Sequence, residues 1–200
     1  MFGRELTRTV VAGRRYLHSP TTFSQANESA LPVLCGTVDE LLGPENGGRL
    51  MDLYCGYGAS LRAWTEAGSV ALGVELAGEA VELCSENAPR AAVLRGTCVQ
   101  RLPQVHAWWK GHDGERVAYV NPPRSGLEPE VVAALAGELR PARLAYLSCS
   151  AGTLRRDLAA FCAAGFAVSA ILPFDFFPLT HHVETLALLE AARTRPVCAP

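Results

Sequence analysis

One cysteine of this chain stands where a thiol can act as a nucleophile. Cys149 comes directly after the apolar run 143–148 and directly before the predicted helix 151–164. The partial positive charge at the N-terminus of a helix favours the thiolate form of a cysteine, and Ser150 is placed to cap that helix. The pattern predicts covalent chemistry on an electron-poor ring, although a buried structural cysteine is the alternative for Cys149 taken alone.

Two polar segments elsewhere in the chain could serve the same pocket. The segment Asn121-Pro-Pro-Arg-Ser-Gly126 follows an apolar run, and its two prolines make a stiff loop whose carbonyl groups are free to accept hydrogen bonds. Ligands of open α/β sheets bind at such strand ends. A second segment begins at Asp175 and ends at Glu184, which opens the last apolar run. Beside an active cysteine Glu184 is placed to act as a base; otherwise it is a carboxylate at the edge of a strand.

A glycine-containing turn predicts a nucleoside-binding loop. Gly56 and Gly58 lie two positions apart at a predicted turn from strand to helix, where the backbone can approach a ligand closely. Glu75 ends the next apolar run, where an acid can accept hydrogen bonds from both hydroxyls of a ribose. A dinucleotide-binding loop would have a third glycine where this chain has Leu61. Asp52 ahead of the glycines favours an adenosyl-methionine loop, and a plain tight turn with a surface glutamate is the remaining alternative.

The order of the predicted elements indicates an α/β fold. Apolar runs of strand length alternate with helical stretches, which is typical of a mostly parallel sheet covered on both faces. The loop 173–182 is too short for a helical crossover, so the last strand of this seven-stranded sheet should be antiparallel. The predicted strands are 49–54, 70–75, 91–94, 117–120, 143–148, 166–172 and 183–190, and the predicted helices are 59–67, 78–88, 128–139 and 151–164.

The two ends of the chain are set apart from this alternating pattern. Residues 1–22 form a short basic extension with a predicted β-hairpin at 7–18, and a helix is predicted to follow at 25–42. Residues 193–200 are predicted to be a frayed tail. The basic extension is either a phosphate-facing patch or a solvated hairpin, since one acid, Glu5, stands against Arg4, Arg8, Arg14 and Arg15.

Composition narrows the class of protein. A chain of 200 residues is long enough for one domain with a good core, and its net charge of −2 means that any positive surface for nucleic acid must be local. The seven cysteines contain no Cys-x-x-Cys pair, so neither a zinc ribbon nor a disulfide framework is indicated. No apolar run approaches the ~18 residues that would suggest a membrane span. We expect a cytoplasmic protein with reduced thiols, no metal and no membrane partner.

The motifs together resemble the RNA 5-methyluridine methyltransferases, which methylate carbon 5 of uracil in transfer and ribosomal RNA. They follow the order found in that family and cover about residues 20–190. The Asn-Pro-Pro-Arg form is closer to a ribosomal-RNA branch than to the Asp-Pro-Pro-Arg form of the tRNA enzyme. The matching segments are Phe23-Ser-Gln-Ala-Asn27, Asp52-Leu-Tyr-Cys-Gly-Tyr-Gly58, Gly73-Val-Glu75, Asn121-Pro-Pro-Arg-Ser-Gly126, Tyr146-Leu-Ser-Cys149, Thr153-Leu-Arg-Arg-Asp157 and 175–184.

The resemblance implies a fold, a cofactor and roles for individual residues. The fold would be that of a Rossmann-like class I S-adenosylmethionine-dependent methyltransferase, with residues 23–192 as its catalytic domain. Cys149 would be the nucleophile and Glu184 the proton acceptor. Arg124 and Asp175 would bind the RNA substrate or support the site. S-adenosylmethionine would be bound by Gln25, Tyr54, Gly56, Gly58, Glu75 and Asn121.

The chemistry explains why these residue types are needed. Carbon 5 of uracil is a poor nucleophile until a thiolate adds at carbon 6 and creates an enolate. The reaction therefore needs a reactive thiol, a base for the carbon-5 proton and a group that stabilises the enolate oxygen. Arg124 is a plausible anion stabiliser or backbone clamp. A uracil paired inside a helix is out of reach, so the target must be flipped out or lie in a loop.

Two positions depart from the family pattern. Ala59 stands where asparagine is frequent, and Leu94-Arg-Gly-Thr97 lacks the acid that commonly meets the adenine. The short basic segment is also unlike the N-terminal RNA-binding β-barrel and central domain of family members, so a separate RNA-binding partner is an option.

Two other functions remain open from the sequence. Asn121-Pro-Pro could belong to an amino-group methyltransferase, although Arg124 replaces the aromatic residue that stacks on the target base in those enzymes. A degenerate, non-catalytic protein with a methyltransferase fold, kept for RNA binding or assembly, is the other alternative.

Overall fold

Strands and helices alternate along most of the chain in a computed structural model that describes residues 6–25, 27, 29–43, 47–110 and 114–192. The strands are β1 (Thr7–Val11), β2 (Arg14–His18), β3 (Arg49–Leu53), β4 (Val70–Glu75), β5 (Ala92–Arg95), β6 (Arg116–Val120), β7 (Arg143–Ser148), β8 (Phe166–Phe174) and β9 (Glu184–Ala191). The helices are α1 (Leu31–Leu42), α2 (Ala59–Glu66), α3 (Gly78–Asn87), α4 (Cys98–Trp109), α5 (Pro129–Ala136) and α6 (Ala151–Ala163).

Seven strands form one sheet in the order β5-β4-β3-β6-β7-β9-β8. The pairs among β3, β4, β5, β6 and β7 are all parallel, whereas β9 runs antiparallel to both β7 and β8. The predicted mostly parallel seven-stranded sheet with an antiparallel C-terminal strand is therefore confirmed. The turns that lead from a parallel strand into a helix all lie at the edge formed by the carboxyl ends of those strands. Strand β9 begins at the same edge.

Apolar clusters cover both faces of the sheet. One cluster joins β3, β6, β7 and β9 to α1, α2, α3 and the hairpin β1–β2, and the other joins them to α4, α5 and α6. Leu50 and Met51 are neighbours in β3 and point to opposite clusters, and both are fully buried. A strand that is buried on both faces has to be continuously apolar, which explains why the strand segments were recognisable as apolar runs.

The predicted hairpin is present, and it is docked on the sheet domain. β1 and β2 pair antiparallel around Ala12-Gly13, and Val11 and Tyr16 belong to the core cluster shared with α1 and α2. The hairpin therefore contributes to the main core. The predicted domain boundary at residue 22 stays a prediction. Arg4, Glu5 and the predicted tail 193–200 lie outside the described residues.

One helix prediction was wrong in its start, and one helix was missed. Helix α1 begins at Leu31 and not at Gln25, because the side chain of Asn27 accepts hydrogen bonds from the backbone N–H groups of Ser29 and Ala30 and forms a turn there. Helix α4 was missed, since Pro103 lies inside it. A reciprocal capping box of Thr97 and Gln100 starts α4, and a Thr-x-x-Gln pattern ahead of apolar residues was the available signal.

A buried carboxylate ties α6 to the loop after β6. Asp157 is 2% exposed, and its Oδ2 accepts hydrogen bonds from the Leu127 backbone N–H (3.0 Å) and from the Tyr146 hydroxyl (2.7 Å). Its Oδ1 accepts a third from Arg156 Nε (2.7 Å). These bonds hold the Asn-Pro-Pro-Arg loop against the end of β7, and thereby fix the distance between two parts of the predicted site.

We expect Asp157→Ala to lower the free energy of unfolding by about 2–4 kcal/mol, because it leaves a buried N–H and a buried hydroxyl without an acceptor. Tyr146→Phe removes one hydroxyl together with its bond and should cost about 1 kcal/mol. Urea unfolding followed by circular dichroism measures both. Equal losses for the two variants would contradict the bridging role of the carboxylate.

Candidate functional site

The sheet register brings the predicted nucleophile and the predicted base to the same edge. Cys149 follows the last residue of β7, and Glu184 is the first residue of the antiparallel strand β9. Ser148 is paired with Thr185, so the same register continued by one residue sets Cys149 against Glu184. The antiparallel direction of β9 is essential here, because a parallel strand would bring its last residue to this edge.

A cavity of about 560 Å³ lies at this edge and collects most of the predicted site residues. Its volume lies within the range of small-molecule binding sites. Gln25 lines a smaller adjoining cavity of about 110 Å³, whose wall also includes Tyr54, Gly56 and Asn121. Neither cavity is lined by Gly58 or Asp175. The predicted residues in the larger cavity are Tyr54, Gly56, Glu75, Asn121, Arg124, Cys149 and Glu184.

Glu75 fastens the glycine turn to the end of β4. Its Oε2 accepts a hydrogen bond from the Gly56 backbone N–H (3.0 Å), and its Oε1 accepts one from Ala77 (2.8 Å). Each carboxylate oxygen has a second lone pair, so Glu75 can still accept bonds from ligand hydroxyls. Gly58, by contrast, has a packing role: with φ 85° it starts α2 in a left-handed conformation, and a Cβ there would lie 2.5 Å from Cys84 Sγ.

Tyr54 connects the glycine turn to the start of α5. Its hydroxyl donates to Glu128 Oε2, and burial raises the pKa of this phenol well above its usual value. Tyr54 has a positive φ of 74°, which is unusual for a residue with a side chain and is found where the surrounding structure enforces it. The tyrosine side chain is thereby held in the wall of both cavities.

Unpaired buried polar atoms line the smaller cavity. Gln25 is 7% exposed, and neither its Oε1 nor its Nε2 has a hydrogen-bond partner among the described residues. Asp52 is 1% exposed; its Oδ2 accepts a bond from the Ser60 hydroxyl, whereas its Oδ1 has no partner in the described part of the chain. Burial raises the pKa of Asp52 to about 8, and the nearby charge of Glu75 adds to the effect. Buried polar atoms without partners are costly, and this cluster indicates where a polar ligand group belongs.

The thiol and the base differ in their surroundings. Cys149 is half-buried, and Ser150 holds the N-cap position of α6 but makes no side-chain cap bond, so the predicted cap is wrong. The Ser150 backbone N–H donates to the Ser148 hydroxyl (3.2 Å). Glu184 is 4% exposed, and burial raises its pKa while the charge of Arg124 partly offsets that effect. A second cavity thiol, Cys98, is 3% exposed, and burial raises its pKa to about 12. Geometry therefore favours Cys149 over Cys98 as a nucleophile.

Arg124 and Asp175 lie at the outside of the site. Arg124 is an exposed residue on the rim of the larger cavity, and its carbonyl oxygen accepts a bond from the Thr153 hydroxyl (3.4 Å). Asp175 is exposed; its Oδ1 accepts from the Phe177 backbone N–H (3.1 Å), and its carbonyl oxygen accepts from Asn27 Nδ2 (3.5 Å). Asp175 thus supports the loop before β9 and does not enter the cavity.

Several cavity residues were not singled out from the sequence. Glu128 brings a carboxylate to the cavity end formed by Gly96, Thr97 and Cys98, where the expected acid is missing. Its place two residues after the end of the Asn121–Gly126 motif was the available signal. Thr97 itself is engaged in the capping box of α4. Phe23, Phe177 and His182 complete the outer wall.

Two further observations concern metal ions and membranes. Within the described ranges, no cluster of three or more His, Cys, Asp or Glu side chains is arranged to hold a metal ion. None of the helices in the part of the chain that the structure describes is long and apolar enough to cross a membrane.

The sequence matches one family model, described as tRNA (uracil-5-)-methyltransferase, over residues 110–192. An uncharacterised RNA methyltransferase of Thermosynechococcus vestitus is 34% identical over 189 residues, which are 94% of this chain and 41% of that protein. The 23S rRNA (uracil(1939)-C(5))-methyltransferase of Nitrosospira multiformis is 32% identical over 178 residues, covering 87% of this chain and 40% of that protein.

The fold of this chain is also similar to those of solved methyltransferase structures. The tRNA (uracil-54, C5)-methyltransferase of Pyrococcus abyssi, solved with S-adenosyl-L-homocysteine, superposes with a TM-score of 0.77 at 29% identity, over 94% of this chain and 45% of that one. The C-terminal domain of a precorrin-6Y methyltransferase from Rhodobacter capsulatus has a TM-score of 0.61 at 16% identity, over 88% and 93% of the two chains, which is a likeness of fold alone. The predicted Rossmann-like methyltransferase fold is confirmed.

The sequence matches and the structural matches point to the same group of proteins. The chain spans about two fifths of the length of the curated relatives that it matches. Residues 110–192 match the tRNA (uracil-5-)-methyltransferase family, and the predicted resemblance of the chain to the RNA uracil-5 methyltransferases is confirmed.

Proposed function

We propose that this chain carries the catalytic part of an enzyme that methylates carbon 5 of a uridine in RNA, with S-adenosylmethionine as the methyl donor. The observation that supports the proposal is that Cys149 and Glu184 line the same cavity as Glu75 and Asn121. A nucleophile, a base and a nucleoside-binding acid in one cavity are the groups that the reaction requires.

The side chains that line the two cavities fit S-adenosylmethionine. Glu75 ends a strand beside the glycine turn and would accept bonds from the ribose hydroxyls. The unpaired amide of Gln25 offers a hydrogen-bond donor and an acceptor, and the unpaired Oδ1 of Asp52 is a further polar atom, which suits the ammonium and carboxylate groups of an amino acid. Tyr54 and Asn121 would complete the wall around S-adenosylmethionine. When bound, S-adenosylmethionine supplies an electrophilic methyl group.

The thiol of Cys149 begins the reaction. Its thiolate forms a bond to carbon 6 of the uracil, and the electron pair of the C5–C6 double bond moves toward the C4 carbonyl oxygen to give an enolate. Carbon 5 is then nucleophilic enough to take up the methyl group. Arg124 lies on the cavity rim, where its charge can stabilise the enolate oxygen or a phosphate of the RNA.

Glu184 completes the reaction by taking a proton. The methylated carbon 5 still carries its hydrogen, and the Glu184 carboxylate removes it as the C5–C6 double bond forms again and the Cys149 thiolate leaves. Burial raises the pKa of Glu184, which makes its carboxylate a stronger base than an exposed glutamate. The uracil must leave its stack to enter this cavity, so the target is a loop nucleotide or a flipped one.

The identity of the RNA is a separate part of the proposal. One relative is named for 23S ribosomal RNA and is 32% identical, and the P. abyssi structure is named for transfer RNA and is 29% identical. These similar identities do not distinguish a ribosomal-RNA enzyme from a transfer-RNA enzyme. Asn121 in place of aspartate favours the ribosomal branch. A separate RNA-binding partner and a cytoplasmic location remain predictions.

Glu184→Gln should trap the enzyme on its RNA. The thiolate can still add and the methyl group can still be taken up, but the carbon-5 proton stays and Cys149 cannot leave. We expect a slower-migrating RNA–protein band on a denaturing gel after incubation with S-adenosylmethionine and uridine-containing RNA. Nucleoside mass spectrometry should find 5-methyluridine with the unchanged enzyme and a large loss with the variant.

Two cysteine variants serve as controls for that trap. In the Glu184→Gln background, Cys149→Ala should abolish the band, whereas Cys98→Ala should retain it, because its buried thiol is not the nucleophile. In the otherwise unchanged enzyme, Cys149→Ala should abolish the product. Product formation that survives Cys149→Ala would exclude covalent catalysis. N-methylated adenine or guanine would indicate an amino-group methyltransferase instead, and RNA binding without cofactor binding would indicate a non-catalytic protein.

Gln25→Ala should weaken the binding of S-adenosylhomocysteine roughly 10- to 150-fold, as expected when hydrogen bonds worth about 1.5–3 kcal/mol to charged groups are lost. Isothermal titration calorimetry measures this without any RNA. Asp175→Ala is the matched control and should leave the affinity unchanged, since Asp175 supports the loop before β9 from outside. An unchanged affinity in Gln25→Ala would remove Gln25 from the donor site.

Asp52 predicts a pH dependence of stability. In the unfolded chain this carboxyl group ionises near pH 4, whereas in the folded chain burial keeps it protonated until about pH 8. The folded state therefore binds more protons in that window, and stability should fall as the pH rises from about 4 to about 8. Asp52→Asn should flatten this slope and add about 2–5 kcal/mol of stability at pH 8 in urea unfolding. An identical slope in the variant would contradict this assignment.

A further inference from the structure

The hairpin and the ends of α2 and α3 form an arginine-lined surface depression that the proposed reaction does not use. Two adjoining hollows, of about 350 and 310 Å³, share Arg62, Glu86 and Asn87. Arg8 and Arg15 of the hairpin line one hollow, and Arg90, which follows α3, lines the other. We call this surface the arginine groove.

The arginines near the groove fall into two classes. Arg14 and Arg62 are held by Glu66, at 2.6 and 2.8 Å, and the Arg62 guanidinium also lies 5.2 Å from the centre of the Tyr16 ring. These pairs are structural, since they fasten the hairpin to α2.

Arg8, Arg15 and Arg90 behave differently, because none of them has a carboxylate partner among the described residues. Glu66 is already shared by two other arginines, so Glu86 is the remaining acid of the groove. The local charge is positive in a protein whose net charge is −2.

The strand register places two of these free arginines on one face of the hairpin. Arg8 pairs with Leu17, and Val10 pairs with Arg15, so Arg8 and Arg15 are diagonal neighbours on the same face. Two like charges at such positions repel each other. An anion bound between them would offset that repulsion, so this arrangement of charges favours the binding of an anion.

The hairpin is held rigidly against α3. Asn87, which is 4% exposed, accepts a bond from the Leu17 backbone N–H (2.8 Å) and donates to the Leu17 carbonyl (2.9 Å) and the Tyr57 carbonyl (3.0 Å). The other face of the hairpin packs Val11 and Tyr16 into the core. A rigid base lets the arginines present their charges without first ordering a flexible loop.

The groove is close to the catalytic edge. Val11, Ala12 and Arg14 of the hairpin also line the small cavity that adjoins the site, next to Gln25 and Gly56. RNA that places one nucleotide in the catalytic cavity continues on both sides along its backbone. Arg8 and Arg15 belong to the same hairpin as these cavity-lining residues.

We propose that the arginine groove binds the phosphodiester backbone of the RNA substrate, outside the nucleotide that reacts. Planar guanidinium groups match phosphate oxygens, and backbone contacts of this kind supply affinity without reading sequence. The proposal rests on the proposed function for the identity of the polyanion.

The test is the salt dependence of RNA binding by the full chain. Fluorescence anisotropy with a labelled oligouridylate gives Kd over a series of potassium chloride concentrations. For single-stranded RNA, each phosphate contact contributes about 0.7 to the slope of log Kd against log salt, so Arg8→Gln, Arg15→Gln and Arg90→Gln together should lower that slope by about 2. The triple Arg→Lys variant should keep most of the slope.

Two controls separate the possible outcomes. Lys110→Gln removes a charge at the end of α4, which packs on the opposite face of the sheet from the hairpin, α2 and α3, and should leave the slope unchanged. Circular dichroism melting verifies that the variants fold. An unchanged slope in the triple Gln variant, or displacement of the RNA by polyglutamate at equal charge concentration, would overturn the proposal. Binding is measured without catalysis, so a lack of 5-methyluridine would count against the proposed function and not against the groove.

Discussion

The antiparallel pairing of β7 and β9 is the constraint on which the site depends. It pairs Ser148 with Thr185, the neighbours of Cys149 and Glu184, and these two residues, 35 positions apart in sequence, line the same cavity. Ladder hydrogen bonds fix this relation more firmly than a loop could. The hydrogen bonds of Asp157 add a second anchor, because they hold the Asn-Pro-Pro-Arg loop to the same strand end.

The cavity combines strongly held side chains with polar atoms that have no partner. Glu75 and Tyr54 are fixed by hydrogen bonds to Gly56 and Glu128. Gln25 and Asp52 are buried without full pairing, which costs stability in the free protein. A polar ligand group bound beside these atoms would supply the missing hydrogen bonds.

The sequence was sufficient for the features that follow from local pattern. Buried parallel strands are apolar throughout, so β4 and β7 were predicted with their observed limits. Helix α4 was hidden by Pro103, and the start of α1 was displaced by the turn at Asn27, because both depend on hydrogen bonds that a pattern of apolar residues does not reveal. The hydrogen bond between Glu128 and Tyr54 could not be predicted either, since it joins residues that are 74 positions apart in sequence.

Asn87 has a consequence for the way in which two binding events influence each other. Its side chain bonds the hairpin at Leu17 and the glycine turn at Tyr57 at the same time. A ligand that stiffens the turn also restrains the hairpin, and a ligand on the hairpin restrains the turn. Thermodynamic linkage requires such an effect to be mutual, so any factor by which the nucleic acid tightens the methyl donor must equal the factor by which the donor tightens the nucleic acid.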